Sequence, residues 1–182
     1  MTSPALLIRP STPADLPAIT TIYAEAVLHG TGTFELDPPD FAEMARRRDD
    51  VLAKGLPWLV AEAPGGSAGP LLGYAYANHF RPRRAYRFCL EDSIYLHPEA
   101  RGRGVGRLLL AELVGRCEAA GARQMLAVIG DAANAGSIGV HAALGFEHTG
   151  VLKAAGWKFE RWLDVVLMQR ALGSGDTLPA PD

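Results

Sequence analysis

Cysteine is nearly missing from this chain: Cys89 and Cys117 are the whole supply in 182 residues. Two cysteines make no metal-ligand pattern and at most one disulfide. A disulfide or metal scaffold is therefore excluded, and reduced thiols in a cytoplasmic protein are expected. Excess charge is missing too. The formal net charge is -2, which gives neither the basic footprint of a nucleic-acid binder nor attraction to an acidic membrane. No apolar run is long enough to span a bilayer. Met1-Thr2-Ser3-Pro4-Ala5 lacks the basic and apolar segments of a secretory signal. No internal repeat is visible. What is present is 48% hydrophobic and 21% charged residues, the balance of one globular domain able to bury its own core.

The hydrophobic pattern sets the elements. Leu6–Arg9 reads as a first strand. Thr12-Pro13-Ala14-Asp15 starts a helix, with Thr12 as N-cap and Pro13 at its first position. Leu16, Ile19, Ile22 and Tyr23 recur along it at helical spacing, and Gly30-Thr31-Gly32-Thr33-Phe34 ends it in a loop. Pro38-Pro39 opens a second helix, with Arg46, Arg47 and Arg48 placed on its wet side and Gly55 as its C-terminal cap. Strands follow at Trp58–Glu62 and Leu71–Ala77, around a turn at Pro64–Pro70. A basic, aromatic loop covers His79–Arg87, and Phe88–Leu96 is the central strand. Then come a helix to Gly121, a strand at Gln124–Ile129 and a short helix at Asn134–Leu144. Two last strands are read at Phe146–Leu152 and Phe159–Met168. The expected organisation is one domain over residues 1–171 and a flexible tail over 172–182. This order predicts an α/β fold with a mixed sheet and one parallel pair joined by a right-handed crossover.

The most informative stretch is Glu91–Leu110. A strand containing Ile94 and Leu96 stops at Pro98. The turn Arg101-Gly102-Arg103-Gly104-Val105-Gly106-Arg107 follows, and then a helix begins. Strand, glycine loop and helix start together make a phosphate cradle. Free N–H groups and the positive helix end converge, and glycines leave room for an anion. Gly-Lys-Ser/Thr does not follow, so this is not the mononucleotide loop; G-x-G-x-G is not the dinucleotide fingerprint either. The run instead resembles the (Arg/Gln)-x-x-Gly-x-(Gly/Ala) loop of the Gcn5-related N-acetyltransferases. Asn134-Ala135-Gly136-Ser137, continued to His141 and Gly145-Phe146, resembles a second pattern of that family, with His141 where most members carry a tyrosine acid.

Further stretches narrow the resemblance. They are Pro57–Glu62, Ala85-Tyr86-Arg87, Glu91–Pro98, Val128-Ile129-Gly130, His141–Phe146 and Ala154–Val165. Together they are similar to the phosphinothricin / methionine sulfoximine N-acetyltransferase branch, from about Ile8 to about Gln169. The resemblance implies an acyl-CoA N-acyltransferase fold with a mixed, mostly antiparallel sheet flanked by helices. It also implies acetyl-CoA as co-substrate, no metal and a homodimer. Ile94, Tyr95 and Leu96 would hold the pantetheine arm through their backbone. Arg101, Gly102, Arg103, Gly104, Val105, Gly106 and Arg107 would hold the pyrophosphate, Asn134 would contact the pantetheine or the sulfur end, and Ser137 would also contact the coenzyme.

Acetyl transfer from a thioester to an amine needs a base, a polarised carbonyl and a way to release thiolate. From residues alone, Glu91 fits either a general base or a carboxylate salt-bridged to a nearby arginine; the resemblance favours the base. His141 is the candidate acid or relay, and the alternative is a satisfied helix histidine. An amino-acid acceptor needs a cation for its carboxylate, which points to Arg81 and Arg87 beside Tyr86. Phe34 and Lys158 are candidates to close the pocket. Trp157 and Trp162 read as core or dimer-contact residues. The expected acceptor is the α-amine of a small amino-acid analogue. A protein N-terminus remains open, and so does a CoA-binding module without turnover. The basic Arg81–Arg87 loop argues against a polyamine.

Overall fold

Arg9, on the first strand, shows how the N-terminal end is tied down. Its guanidinium donates to both oxygens of Asp15 and to Glu62 Oε2, each at 2.8 Å. Arg9 is the main reason that the Asp15 carboxyl is held down to about 2. Thr12 and Asp15 form a reciprocal capping box at a single 3-10 turn, Pro13–Asp15, and the chain then enters α1 (Leu16–His29). Residues 6–63 and 70–180 are described in this computed structural model. Most of the turn expected at Pro64–Pro70 lies outside them.

The elements are β1 (Leu7–Pro10), α1, α2 (Phe41–Ala53), β2 (Trp58–Glu62), β3 (Leu71–His79), β4 (Cys89–Leu96) and α3 (Val105–Ala119). They continue with β5 (Gln124–Gly130), α4 (Ala135–Ala142), β6 (Glu147–Lys158) and β7 (Arg161–Ala171). This is the order expected from the sequence. The seven strands form one sheet in the order β1-β2-β3-β4-β5-β7-β6. Among the described residues only β4 and β5 pair in parallel; the other pairs are antiparallel. Helices pack on both faces, α1 and α2 on one and α3 and α4 on the other. Ile19, Val60, Tyr74, Leu109, Leu113, Met125 and Met168 are fully buried between these layers.

Four details differ from the sequence reading. Asp40 caps α2, its side chain accepting from Glu43 N at 2.8 Å, so Pro38-Pro39 precede the helix rather than open it. Arg48 is buried, not wet. It shares the inward stripe with Met44 and Val51, at i+4 and i+7, and is satisfied by Ser11 Oγ at 2.8 Å and the Ser11 carbonyl at 2.7 Å. The last two strands are longer than expected. The ladder crosses a bulge between Leu152 and Gly156, where the Asp164 carboxylate takes Lys153 Nζ and Ala154 N–H. It then turns tightly through Phe159 and Glu160, at φ 51° and 56°. Two positive φ angles at the centre of a two-residue hairpin turn match the twist of the strands. Finally, the segment expected as a tail begins with a packed side chain. Leu172 is buried, and Arg123 donates to the Gly175 and Leu178 carbonyls at 2.7 and 2.8 Å.

Candidate active site

The parallel pair opens like a fork. The β4–β5 register runs from Cys89↔Gln124 to Asp92↔Ala127 and stops. Beyond it β4 pairs only with β3 and β5 only with β7. A cavity of about 670 Å³ lies in the split, walled by Ser93–Leu96, Ala127–Asp131, α4 and the Gly30–Thr33 loop. The backbone of β4 can be oriented from its ends. Cys89 C=O accepts from Phe80 N–H, and His97 N–H donates to Leu72 C=O. Odd-numbered residues of β4 therefore turn their N–H and C=O toward β3. Ile94 and Leu96 turn theirs into the split, where no strand takes them. Tyr95 spends its backbone on β3, and its ring packs edge-on to Tyr23 at 4.8 Å. Tyr95 lines the cavity with Ile94 and Leu96, its own backbone groups turned to β3.

At the fork's mouth the glycine loop is built as the sequence suggested. Gly102 and Gly104 sit at φ 70° and 79°, angles that only glycine adopts without strain. Gly104 is the N-cap of α3, so the first-turn N–H groups at Val105, Gly106 and Arg107 have no side-chain cap. Arg101 and Gly102 line the cavity. Arg103 and Arg107 are exposed beside it, and Arg103 leans on the Glu99 carbonyl at 3.4 Å. Gly106 faces Leu96 and Ile94: a Cβ there would stand 3.3 Å from Leu96 Cδ1. Asn134 caps α4 by accepting from Ser137 N–H at 3.2 Å, and both line the cavity.

Adjacent residues of β4 point to opposite faces. Glu91 faces the α1 side, half-buried, where the main cavity meets a smaller one of about 180 Å³ formed with Tyr76, Asn78, His79 and Ser93. Burial first, and then the neighbouring Asp92 charge, push the Glu91 carboxyl up; the charge of Arg81 works the other way. No arginine closes an ion pair with Glu91 among the described residues, so the salt-bridged alternative is not realised there. Asp92 faces the α4 side. The sequence reading passed over it, yet it pairs with His141, Nε2 to Oδ2 at 3.0 Å.

The expected acceptor residues scatter. Arg81 is exposed and lies over the Phe80 ring at 4.3 Å. Arg87 lies over Phe88 at 4.3 Å, and Tyr86 packs edge-on to Phe80 at 5.9 Å. None of the three lines the main cavity, although Arg81 is felt at Glu91. Phe34 is wedged against β6: a Cβ on Gly156 would lie 2.2 Å from its ring. Lys158 is buried and donates to the Gly30 and Thr33 carbonyls, both at 2.9 Å. It braces the cavity wall from behind.

Residues 21–146 match the model of the acetyltransferase (GNAT) family. The chain belongs to the GNAT acetyltransferases. A phosphinothricin N-acetyltransferase of Alcaligenes faecalis is 58% identical over 163 residues, 90% of this chain and 81% of that protein. An L-methionine sulfoximine/L-methionine sulfone acetyltransferase of Pseudomonas aeruginosa is 40% identical over 94% of this chain and 98% of its own. The crystal structure of a GNAT phosphinothricin acetyltransferase from Sinorhizobium meliloti, in complex with acetyl-CoA, has a TM-score of 0.92 to this chain. It shares 51% identity, with 97% of this chain and 94% of that one covered.

In this GNAT fold the Lys158 brace gives a direct expectation. Lys158→Met leaves the Gly30 and Thr33 carbonyls without their buried donor. Urea denaturation should show a loss of roughly 1–3 kcal/mol, the usual cost of orphaning buried polar groups. An unchanged midpoint would mean that the loop does not depend on this lysine.

Proposed function

We propose that this chain is an acetyl-CoA-dependent N-acetyltransferase acting on the α-amine of a small amino-acid analogue. The acceptor is of the phosphinothricin or methionine sulfoximine/sulfone type. The observation that carries the reading is Glu91: a half-buried carboxylate with a raised pKa and no ion pair among the described residues, in the cleft wall where β4 leaves β5. The names of the similar proteins in Alcaligenes and Pseudomonas support the acceptor class.

The cleft fits the coenzyme. Ile94 and Leu96 offer backbone groups that an extended amide-bearing arm would satisfy as an added strand. The bare first turn of α3, with Arg101, Arg103 and Arg107 around it, would take a pyrophosphate. Glu91 would then accept the proton of the acceptor's ammonium, directly or through water, so that the free amine attacks the thioester carbonyl. The Leu96 N–H would donate to the charge developing on the carbonyl oxygen. Arg81, whose charge is felt at Glu91, would meet the acceptor's carboxylate. A homodimer and a cytoplasmic setting belong to the same proposal. Trp157 and Trp162, 54% and 64% exposed on the edge hairpin, would lie on the dimer surface. No helix among the described residues is long and apolar enough to cross a membrane.

Release of free CoA thiol from acetyl-CoA tests this, with L-phosphinothricin, L-methionine sulfoximine, methionine sulfone, spermidine and a short peptide as acceptors. Turnover confined to the first three is expected. Turnover with only the peptide or spermidine, or with none, would overturn the acceptor class.

A further inference from the structure

On the α4 side of the cleft, on the opposite face from Glu91, Asp92 and His141 line the main cavity as a buried pair that the reaction above does not use. His141 is 2% exposed. Its Nδ1 lies 2.7 Å from the Ser137 carbonyl oxygen. A carbonyl only accepts, so Nδ1 carries a proton. Its Nε2 lies 3.0 Å from Asp92 Oδ2. A neutral ring with its proton on Nδ1 would aim a lone pair at a carboxylate, and two acceptors at that distance repel. The contact closes only with a second proton between Nε2 and Oδ2.

The surroundings leave Asp92 alone to decide this. From α3 comes Cys117, whose thiol burial pushes up to about 12 and so keeps neutral. From β5 comes Ala127, in register with Asp92. Phe146 offers its ring edge-on at 5.0 Å, and Ser137 only its carbonyl and hydroxyl. Glu91 is adjacent in sequence but points to the other face. Among the described residues the second carboxylate oxygen, Asp92 Oδ1, is buried without a hydrogen-bond partner, so His141 is the one side chain bonded to this carboxylate there. Burial alone would discharge the imidazole. The bond and charge of Asp92, with the Ser137 carbonyl, outweigh it and raise the His141 pKa above its ordinary value.

We propose that Asp92 is the positioning residue of His141. It keeps both ring nitrogens protonated and bonded inside the protein, so that His141 clamps α4 to β4 across the cleft and exchanges no proton with bound molecules. In the reaction proposed above this leaves Glu91 as the one base; only that consequence rests on the functional reading. The linkage has a definite sign. A raised folded-state pKa gives stability that is complete below the free histidine value of about 6.5 and is lost as pH rises through the raised value.

The test is 15N NMR of the His141 ring in the native chain and in Asp92→Asn, with denaturation at a series of pH values. In the native chain both ring nitrogens should report N–H between about pH 6 and 8, where a solvent-exposed histidine titrates. Adding acetyl-CoA and acceptor should leave those signals protonated. In Asp92→Asn the Nε2 proton should be lost. The stability gap between the two proteins should be full below about pH 6.5 and close toward alkaline pH. A neutral His141 in the native chain near pH 7, an unchanged ring in Asp92→Asn, or deprotonation on ligand binding would each overturn the proposal. Should Asp92→Asn fail to fold, the native titration decides by itself. Absence of turnover would sink the functional reading and leave the ring result standing.

Discussion

Glu91→Gln is expected to lower kcat by roughly 10²–10⁴-fold, the range that a positioned general base contributes. Glutamine keeps the size and one acceptor oxygen of the native side chain, so the cleft should keep its shape and the KM for acetyl-CoA should stay close to native. The pH profile separates this from a structural defect. Burial raises the Glu91 carboxyl, and only the ionised form accepts a proton. Native kcat/KM should therefore climb with pH and level off above that raised value; the variant should lose the climb. A stability effect of opposite sign should accompany the loss. A carboxyl whose folded pKa is raised costs stability as pH rises from its unfolded value through the folded one. Glu91→Gln removes that cost, so the inactive variant should melt higher than the native chain near neutral pH. An active variant with an unchanged pH profile would remove Glu91 from the chemistry while leaving the GNAT assignment untouched.

The parts of this site that were legible in the sequence are those whose chemistry needs neighbours in the chain. A phosphate cradle is a strand end, a glycine turn and a helix start in succession, so Gly102 and Gly104 could be read directly, and both stand at left-handed angles. The Asp92–His141 pair joins residues 49 apart through a parallel crossover, and no local pattern carries it. The Lys158 brace spans 125 residues to Thr33; the sequence marked the lysine but not which side of the wall it would stand on. Arg48 is different. Its place on the stripe of Met44 and Val51 is set by the spacing, against the usual preference of a charged side chain for water. The long β6–β7 hairpin escaped because its turn uses Phe159 and Glu160, where a sequence reader looks for glycine or asparagine.

The second large effect is expected at Gly130, the last residue of β5. It stands past the end of the β4–β5 pairing, against the Gly30–Phe34 loop. A Cβ there would lie 2.2 Å from the Thr31 carbonyl oxygen and 3.0 Å from Phe34 Cε1. The nearer atom is backbone, in a loop that Lys158 holds by its carbonyls and that forms a wall of the main cavity. No side-chain rotation can absorb the contact, so Gly130→Ala must move the loop or break its brace. Overpacking of this kind costs about 1–3 kcal/mol and sometimes more, and acceptor KM should rise with it because the displaced loop borders the cavity. Gly156→Ala makes a useful contrast. Its added Cβ would lie 2.2 Å from the Phe34 ring, a side chain, so Phe34→Leu should restore much of the loss there and little of it at Gly130. Gly139→Ala controls for composition. Nothing lies within 4 Å of a Cβ at that exposed helical position, and the substitution should stabilise by roughly 0.5–1 kcal/mol. Denaturant midpoints of the three variants, with acceptor KM for each, test the argument together. A Gly130→Ala protein as stable as the native chain would mean that the loop yields freely, and that the wall of the cleft is not held in the way its contacts imply.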